Sequence, residues 1–161
     1  MVIFSVHPAE PQGTVTASSL ATAVVVIPVR YRSTRFPGKA LEKISGRPMV
    51  EHVYNRAIAA SSITSVIVAT DDKRIYRAVR AFGGNVRMTH KHHQSGMDRL
   101  SEIAPNLSCD FIVNVQGDEP LIEPDAIDLV LKVLTEEPET KMSTVCCPIT
   151  TTEELLDPAR P

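Results

Sequence analysis

Ala23-Val24-Val25-Val26-Ile27-Pro28-Val29 runs directly into Arg30-Tyr31-Arg32-Ser33-Thr34-Arg35-Phe36-Pro37-Gly38-Lys39. The first stretch is an unbroken apolar, largely β-branched run of the kind a parallel sheet buries on both faces. The second carries four basic residues (Arg30, Arg32, Arg35 and Lys39) and no acid. A strand buried on both sides that empties into a basic loop predicts an α/β domain with ligand-facing loops beyond its strand ends. A charge cluster by itself reads first as a solvated turn, so the surrounding chain has to decide.

Outward from that strand, short apolar runs alternate with helical patterns. Helices are predicted over Pro48–Ala60, Asp72–Phe82, Gly96–Ala104 and Glu123–Glu136. In the second, Ile75, Ala78, Val79 and Phe82 fall on one face; in the last, Ile127, Val130, Leu131 and Leu134 do the same. Strands are predicted over Ser65–Ala69, Asn85–Met88, Phe111–Val115 and Met142–Pro148. Strand and helix in alternation imply a parallel sheet with helices on both sides, a three-layer α/β/α domain.

The chain has 161 residues, enough for one domain with a real core. No run approaches the ~18 apolar residues that a membrane span needs. Aromatic residues are 4% of the chain and Trp is absent, which argues against stacking platforms for single-stranded nucleic acid. A net charge of −2 predicts no general affinity for nucleic-acid polymers or anionic membranes. Residues 1–22 hold no Lys or Arg, lack the basic start of a secretory signal, and read as a flexible leader to the α/β domain over 23–161. Cys109, Cys146 and Cys147 have no metal-type spacing and read as reduced, mostly buried side chains of a cytoplasmic protein.

Three loops leave the carboxyl ends of the predicted strands with unusual chemistry. They are the basic loop from Arg30 to Lys39, the turn Thr70-Asp71-Asp72, and Gln116-Gly117-Asp118-Glu119-Pro120. One basic loop and two acidic turns around one cleft suit a Mg²⁺-bound nucleoside triphosphate, with cations on phosphate oxygens and a carboxylate on the metal. Neither G-x-x-x-x-G-K-[ST] nor G-x-G-x-x-G occurs, so the grip comes from guanidinium groups, Lys39 and main-chain N–H groups. Asp118 reads either as a metal ligand or as a cap on its turn, and Asp71 as the N-cap of the helix after it. His90, His92 and His93 read as a surface loop rather than a metal site.

The run Ile27 to Lys39 resembles the signature loop of the sugar-acid cytidylyltransferases. Within that family it is most similar to the enzymes acting on 3-deoxy-manno-octulosonate (Kdo). The resemblance continues in order through Ile44–Val53, Val68–Asp71, Met88-Thr89, His93–Gly96, Arg99-Leu100 and Val113–Pro120. It implies a nucleotide-diphospho-sugar transferase-like, Rossmann-like fold, and transfer of CMP from CTP to Kdo with release of pyrophosphate. Mg²⁺ is the implied cofactor, and the product feeds lipopolysaccharide biosynthesis. By motif, Arg30, Arg35 and Lys39 would be catalytic, holding the phosphates. Pro28 and Val29, with Gln94, Ser95 and Gly96, would read the cytosine; Asp118 would ligate Mg²⁺, and Gln116 would lie near the sugar acid. Val29 and Phe36 stand where the family more often has Ala and Leu. The larger departure is length, because the family's second metal carboxylate, most sugar contacts and the segment of its homodimer lie beyond Pro161. A cytidylyltransferase for another sugar acid such as sialic acid, and a nucleotide-binding chain without turnover, are the alternative readings.

Overall fold

The computed structural model describes residues 1–5, 21–32, 36–137, 139–146 and 148–157. The central strand is β2 (Ala23–Val29), every residue of which is buried. Its side chains alternate between two cores. Val25, Ile27 and Val29 join the larger one, and Val24 and Val26 the smaller. The alternation is the two-residue period of a strand, and because both faces are covered neither position tolerates a polar residue.

Around β2 lie β5 (Ser65–Thr70), β6 (Val86–Met88) and β7 (Phe111–Asn114). β5 and β7 pair with β2 in parallel, and β6 pairs with β5 in parallel. With β1 (Val2–Ser5) and β8 (Met142–Thr144), the sheet order is β6-β5-β2-β7-β1-β8. The chain therefore steps from β2 out to β6, then crosses back to start again on the other side of β2. That reversal between β2 and β7 is where an open α/β sheet leaves a crevice.

Helices α1 (Met49–Ile58), α2 (Lys73–Ala81) and α4 (Pro124–Glu136) cover the larger core through Val50, Val53, Ile75, Val79, Ile127 and Leu131. Helix α3 (Gly96–Ile103) covers the other face with Leu100 and Ile103. A short α5 (Thr152–Leu156) follows β8. Among the described residues no helix is long and apolar enough to cross a membrane.

Four differences from the sequence reading have physical causes. Within the span read as a leader, Val2–Ser5 forms a strand, antiparallel to β7 and β8, with Ile3 fully buried, so the sheet is mixed rather than all-parallel. Pro48 is not helical; Arg47–Pro48 is β4, paired with β3 (Lys43–Ile44) across the turn at Ser45-Gly46, and only then does α1 begin. The last strand ends at Thr144, which leaves Cys146 exposed beyond it, while Cys109 is buried as expected; Cys147 lies outside the described residues. The N-cap of α2 is Asp72, whose carboxylate accepts the Arg74 N–H at 2.8 Å, and not Asp71.

The non-site ends of the strands are clipped together by polar groups. Thr22 donates its N–H and hydroxyl to the Asp110 carboxylate, each at 2.8 Å, joining the start of β2 to that of β7. At the opposite ends, Glu102 of α3 holds the loop after β6. Its two oxygens accept from the rings of His90 and His93, and one also accepts the His90 main-chain N–H. The bond with His93, with the His90 main-chain N–H next, holds the Glu102 carboxyl at about 2, against an ordinary 4.5.

Ile127→Ala, at a fully buried position of α4, is expected to cost about 3 kcal/mol in urea unfolding. Leu129→Ala, two residues on but exposed, should change stability by less than about 0.5 kcal/mol. A carboxyl lowered in the folded state adds stability that is complete above the unfolded value and is lost as it takes up its proton. Acidification from 4.5 towards about 2 should therefore erode stability less steeply in Glu102→Gln than in the parent chain, measured by thermal melts across that range.

Candidate functional site

The crevice at the β2–β7 switch is a cleft in two adjoining compartments that share Pro28, Val29, Arg30 and Gln116. One, of about 210 Å³, continues to Lys39, Ala40, Gly117 and Asp118. The other, of about 150 Å³, continues to His93, Gln94, Ser95, Gly96 and Arg99. All the sequence-predicted site residues that are described thus surround one cleft. Arg35, also predicted, lies outside the described residues.

Close backbone approach builds the first compartment. A methyl group on Gly117 would sit 2.7 Å from Val29 Cγ2 and 3.2 Å from the Pro28 carbonyl oxygen, so only glycine lets the loop after β7 lie against the end of β2. That contact brings Asp118 opposite Lys39, whose Nζ lies 2.9 Å from Oδ2 of Asp118. The predicted phosphate cation and the predicted metal ligand are paired with each other. Both are accessible, their side chains 40% and 57% exposed, so the pair is worth about 1 kcal/mol or less and opens readily to a charged ligand. Arg30, exposed between the compartments, has no hydrogen bond or ion pair among the described residues.

The second compartment is shaped by the start of α3. The Ser95 hydroxyl accepts the Asp98 N–H at 3.1 Å and the Asp98 carboxylate accepts the Ser95 N–H at 2.9 Å. Those bonds hold the Asp98 carboxyl below its ordinary value. The Ser95 side chain is thereby committed to the cap, and what it offers a ligand is main chain. Gln116 is oriented from behind. Its amide donates to Asn114 Oδ1 at 3.4 Å, and buried Asn114 in turn donates to the Met97 sulfur at 3.0 Å.

Arg99 and His93 line this compartment, though the sequence reading gave neither a role. Arg99 is 3% exposed, donates to the Thr89 hydroxyl, and faces Asp71 at 3.5 Å. Asp71 thus neutralises a buried cation instead of capping α2. The available signal was the spacing: Arg99 falls one turn into a helix whose start already faces the cleft.

Mg²⁺ fits Asp118 only in one sense. Among the described residues no group of three His, Cys, Asp or Glu side chains could cage a metal ion. A single exposed carboxylate instead suits a hard cation that brings phosphate and water ligands with it. A larger hollow, about 720 Å³, opens at the opposite strand ends beside Ser61, Ser62 and Asp128. There the Asp128 carboxylate is occupied by the N–H and hydroxyl groups of both serines.

Residues 24–160 match the family model described as cytidylyltransferase. A 3-deoxy-manno-octulosonate cytidylyltransferase of Geobacter sulfurreducens is 53% identical over 133 residues, covering 83% of this chain and 53% of the relative. An enzyme of the same description from Escherichia coli is 44% identical over 134 residues, covering 83% and 54%. The chain spans about half the length of the curated relatives it matches. A solved structure of CMP:2-keto-3-deoxy-manno-octonic acid synthetase, complexed with CTP, superposes with a TM-score of 0.72 at 46% identity, over 74% of this chain and 49% of that one. A cytidylyltransferase from Leptospira borgpetersenii superposes with a TM-score of 0.64 at 20% identity, which speaks to the fold alone. With the family model matching residues 24–160, which hold the strands from β2 onward, the helices and both compartments of the cleft, this chain belongs to the cytidylyltransferase family.

Proposed function

We propose that this chain supplies the CTP-binding part of a 3-deoxy-manno-octulosonate cytidylyltransferase, which joins CMP to Kdo and releases pyrophosphate. The observation that carries the reading is the Lys39–Asp118 pair at the mouth of a cleft divided into a phosphate-sized and a base-sized compartment. The similarity to a CTP-complexed synthetase supports the same orientation.

The anomeric hydroxyl of the sugar acid attacks the α-phosphorus of CTP. A phosphorus–oxygen bond forms, the bond to the β-phosphate oxygen breaks, and the hydroxyl proton passes to solvent. Such a transfer needs positioning and charge neutralisation rather than a covalent nucleophile. Arg30 and Lys39 bear on the phosphates and offset the charge that grows on the leaving pyrophosphate, and Arg35 is assigned to the same task. Main-chain groups at Pro28-Val29 and Gln94–Gly96 read the pyrimidine edge, while Gln116 sits between the compartments, on the side where the sugar acid enters. Asp118 would hold Mg²⁺, which when bound adds positive charge beside the phosphates. The reading implies a cytoplasmic enzyme.

A thermal melt with Mg²⁺ and each nucleoside triphosphate tests this reading first. Stabilisation by CTP, of about 2.7 kcal/mol at a hundredfold excess over its dissociation constant, is expected, with little from ATP, GTP or UTP. Equal shifts with all four would overturn cytosine recognition. Asp118→Asn should leave the melting temperature without ligand nearly unchanged, because the side chain is exposed, yet remove the Mg²⁺-dependent part of CTP binding. Lys39→Ala should weaken CTP about tenfold or more and CMP far less, because a charge-assisted bond to phosphate is lost. Equal losses for CTP and CMP in calorimetry would show that Lys39 does not meet the distal phosphates.

A further inference from the structure

Between Arg30 and Lys39 the Tyr31 carbonyl accepts the Gly38 N–H at 2.8 Å, and the Phe36 carbonyl accepts the Lys39 N–H at 3.3 Å. Gly38 has a φ of 79°, in the left-handed region, and its carbonyl accepts the Leu41 N–H at 2.8 Å, which starts the short turn carrying Lys39. The Tyr31 ring lies directly on Gly38, where an added methyl would be 3.0 Å from ring carbon Cε2. The guanidinium carbon of Arg74, from the first turn of α2, lies 3.2 Å from the Tyr31 ring centroid. Asp72 fixes the plane of that guanidinium, accepting from Nε at 2.9 Å and Nη2 at 2.7 Å while it caps α2 through the Arg74 N–H. Neither Asp72 nor Arg74 lines the two compartments of the cleft.

We propose that Asp72, Arg74 and Tyr31 form a latch that holds the phosphate-binding loop on α2, so that Arg74 positions Arg30 and Lys39 by acting through Tyr31. The proposal rests on the nucleotide reading above. Lys and Arg side chains lose much rotamer freedom when they grip a ligand, and a backbone already held at both ends of the loop lowers the remaining cost. Cation–π contact suits such a latch, because the ring keeps its grip while the carbonyl of the same residue closes the loop. Arg74 is therefore a positioning residue, whose loss should be felt at the phosphates and not at the base.

The test compares the full chain with Arg74→Ala, Tyr31→Leu and Tyr31→Phe by two measurements. In amide hydrogen exchange without nucleotide, Gly38 should exchange about fivefold faster in Arg74→Ala and Tyr31→Leu and near the parent rate in Tyr31→Phe, which keeps the ring. In calorimetry with Mg²⁺, the same two variants should bind CTP about fivefold more weakly with CMP affinity unchanged, and Tyr31→Phe should recover CTP binding. Unchanged Gly38 exchange in Arg74→Ala and Tyr31→Leu would overturn the latch, whatever the chain binds. Faster exchange with CTP and CMP weakened alike would overturn the positioning role and leave Arg74 a structural contact. Failure of the parent chain to bind CTP would overturn the nucleotide reading and the role resting on it, with the exchange rates still reporting separately on the latch.

Discussion

Burial of β2 on both faces is the constraint from which the other features follow. Seven consecutive buried residues can satisfy their main-chain N–H and C=O groups only through neighbouring strands, and β5 and β7 supply them in parallel. Parallel neighbours require crossovers, and the crossover helices become the outer layers. α1 and α2 carry the chain towards one edge over the larger core. α3 carries it back over the smaller one. The return past β2 opens the crevice, and the residues that follow the ends of β2 and β7 stand at its lip.

The cleft is consequently assembled from segments far apart in the chain, with little machinery in any one of them. Arg30 follows β2, Asp118 follows β7, and Ser95 and Gly96 begin α3. Packing at Gly117 sets how closely the first two approach, and the Ser95–Asp98 capping box sets where the third lies. Charge is distributed with the same division. Exposed Lys39 and Asp118 form a weak pair that a ligand can part, whereas buried Arg99 has Asp71 and Thr89 as standing partners. The first pair suits exchange with solvent and ligand, and the second suits a fixed wall.

β1 shows how the sheet finishes itself on the other side. β7 and β8 run in the same direction with a strand's width between them, and Val2–Ser5 fills that width antiparallel to both. These residues precede the family-matching region, which begins at residue 24. Ile3 adds a fully buried side chain to the larger core, and the Thr144 hydroxyl donates to the Met1 carbonyl at 2.6 Å, fastening β8 to the same segment.

From the order of amino acids alone came the strand-to-basic-loop junction, the alternation of strands and helices, and the family resemblance. Each depends on local composition or on residues close in the chain. The β-branched run had to be a two-sided strand, and Pro124 followed by the Ile127, Val130, Leu131 and Leu134 stripe had to be an amphipathic helix. Tertiary structure decided the rest, because those features depend on pairings across tens of residues. A four-residue strand such as Val2–Ser5 has too short a pattern to declare its register. Asp71 and Asp72 are chemically identical neighbours, and only the approach of Arg99 from α3 gives one to a buried cation while the helix start takes the other. The pairing of Lys39 with Asp118, 79 positions apart, exists only because glycine at 117 lets two strand ends close to within a hydrogen bond's reach.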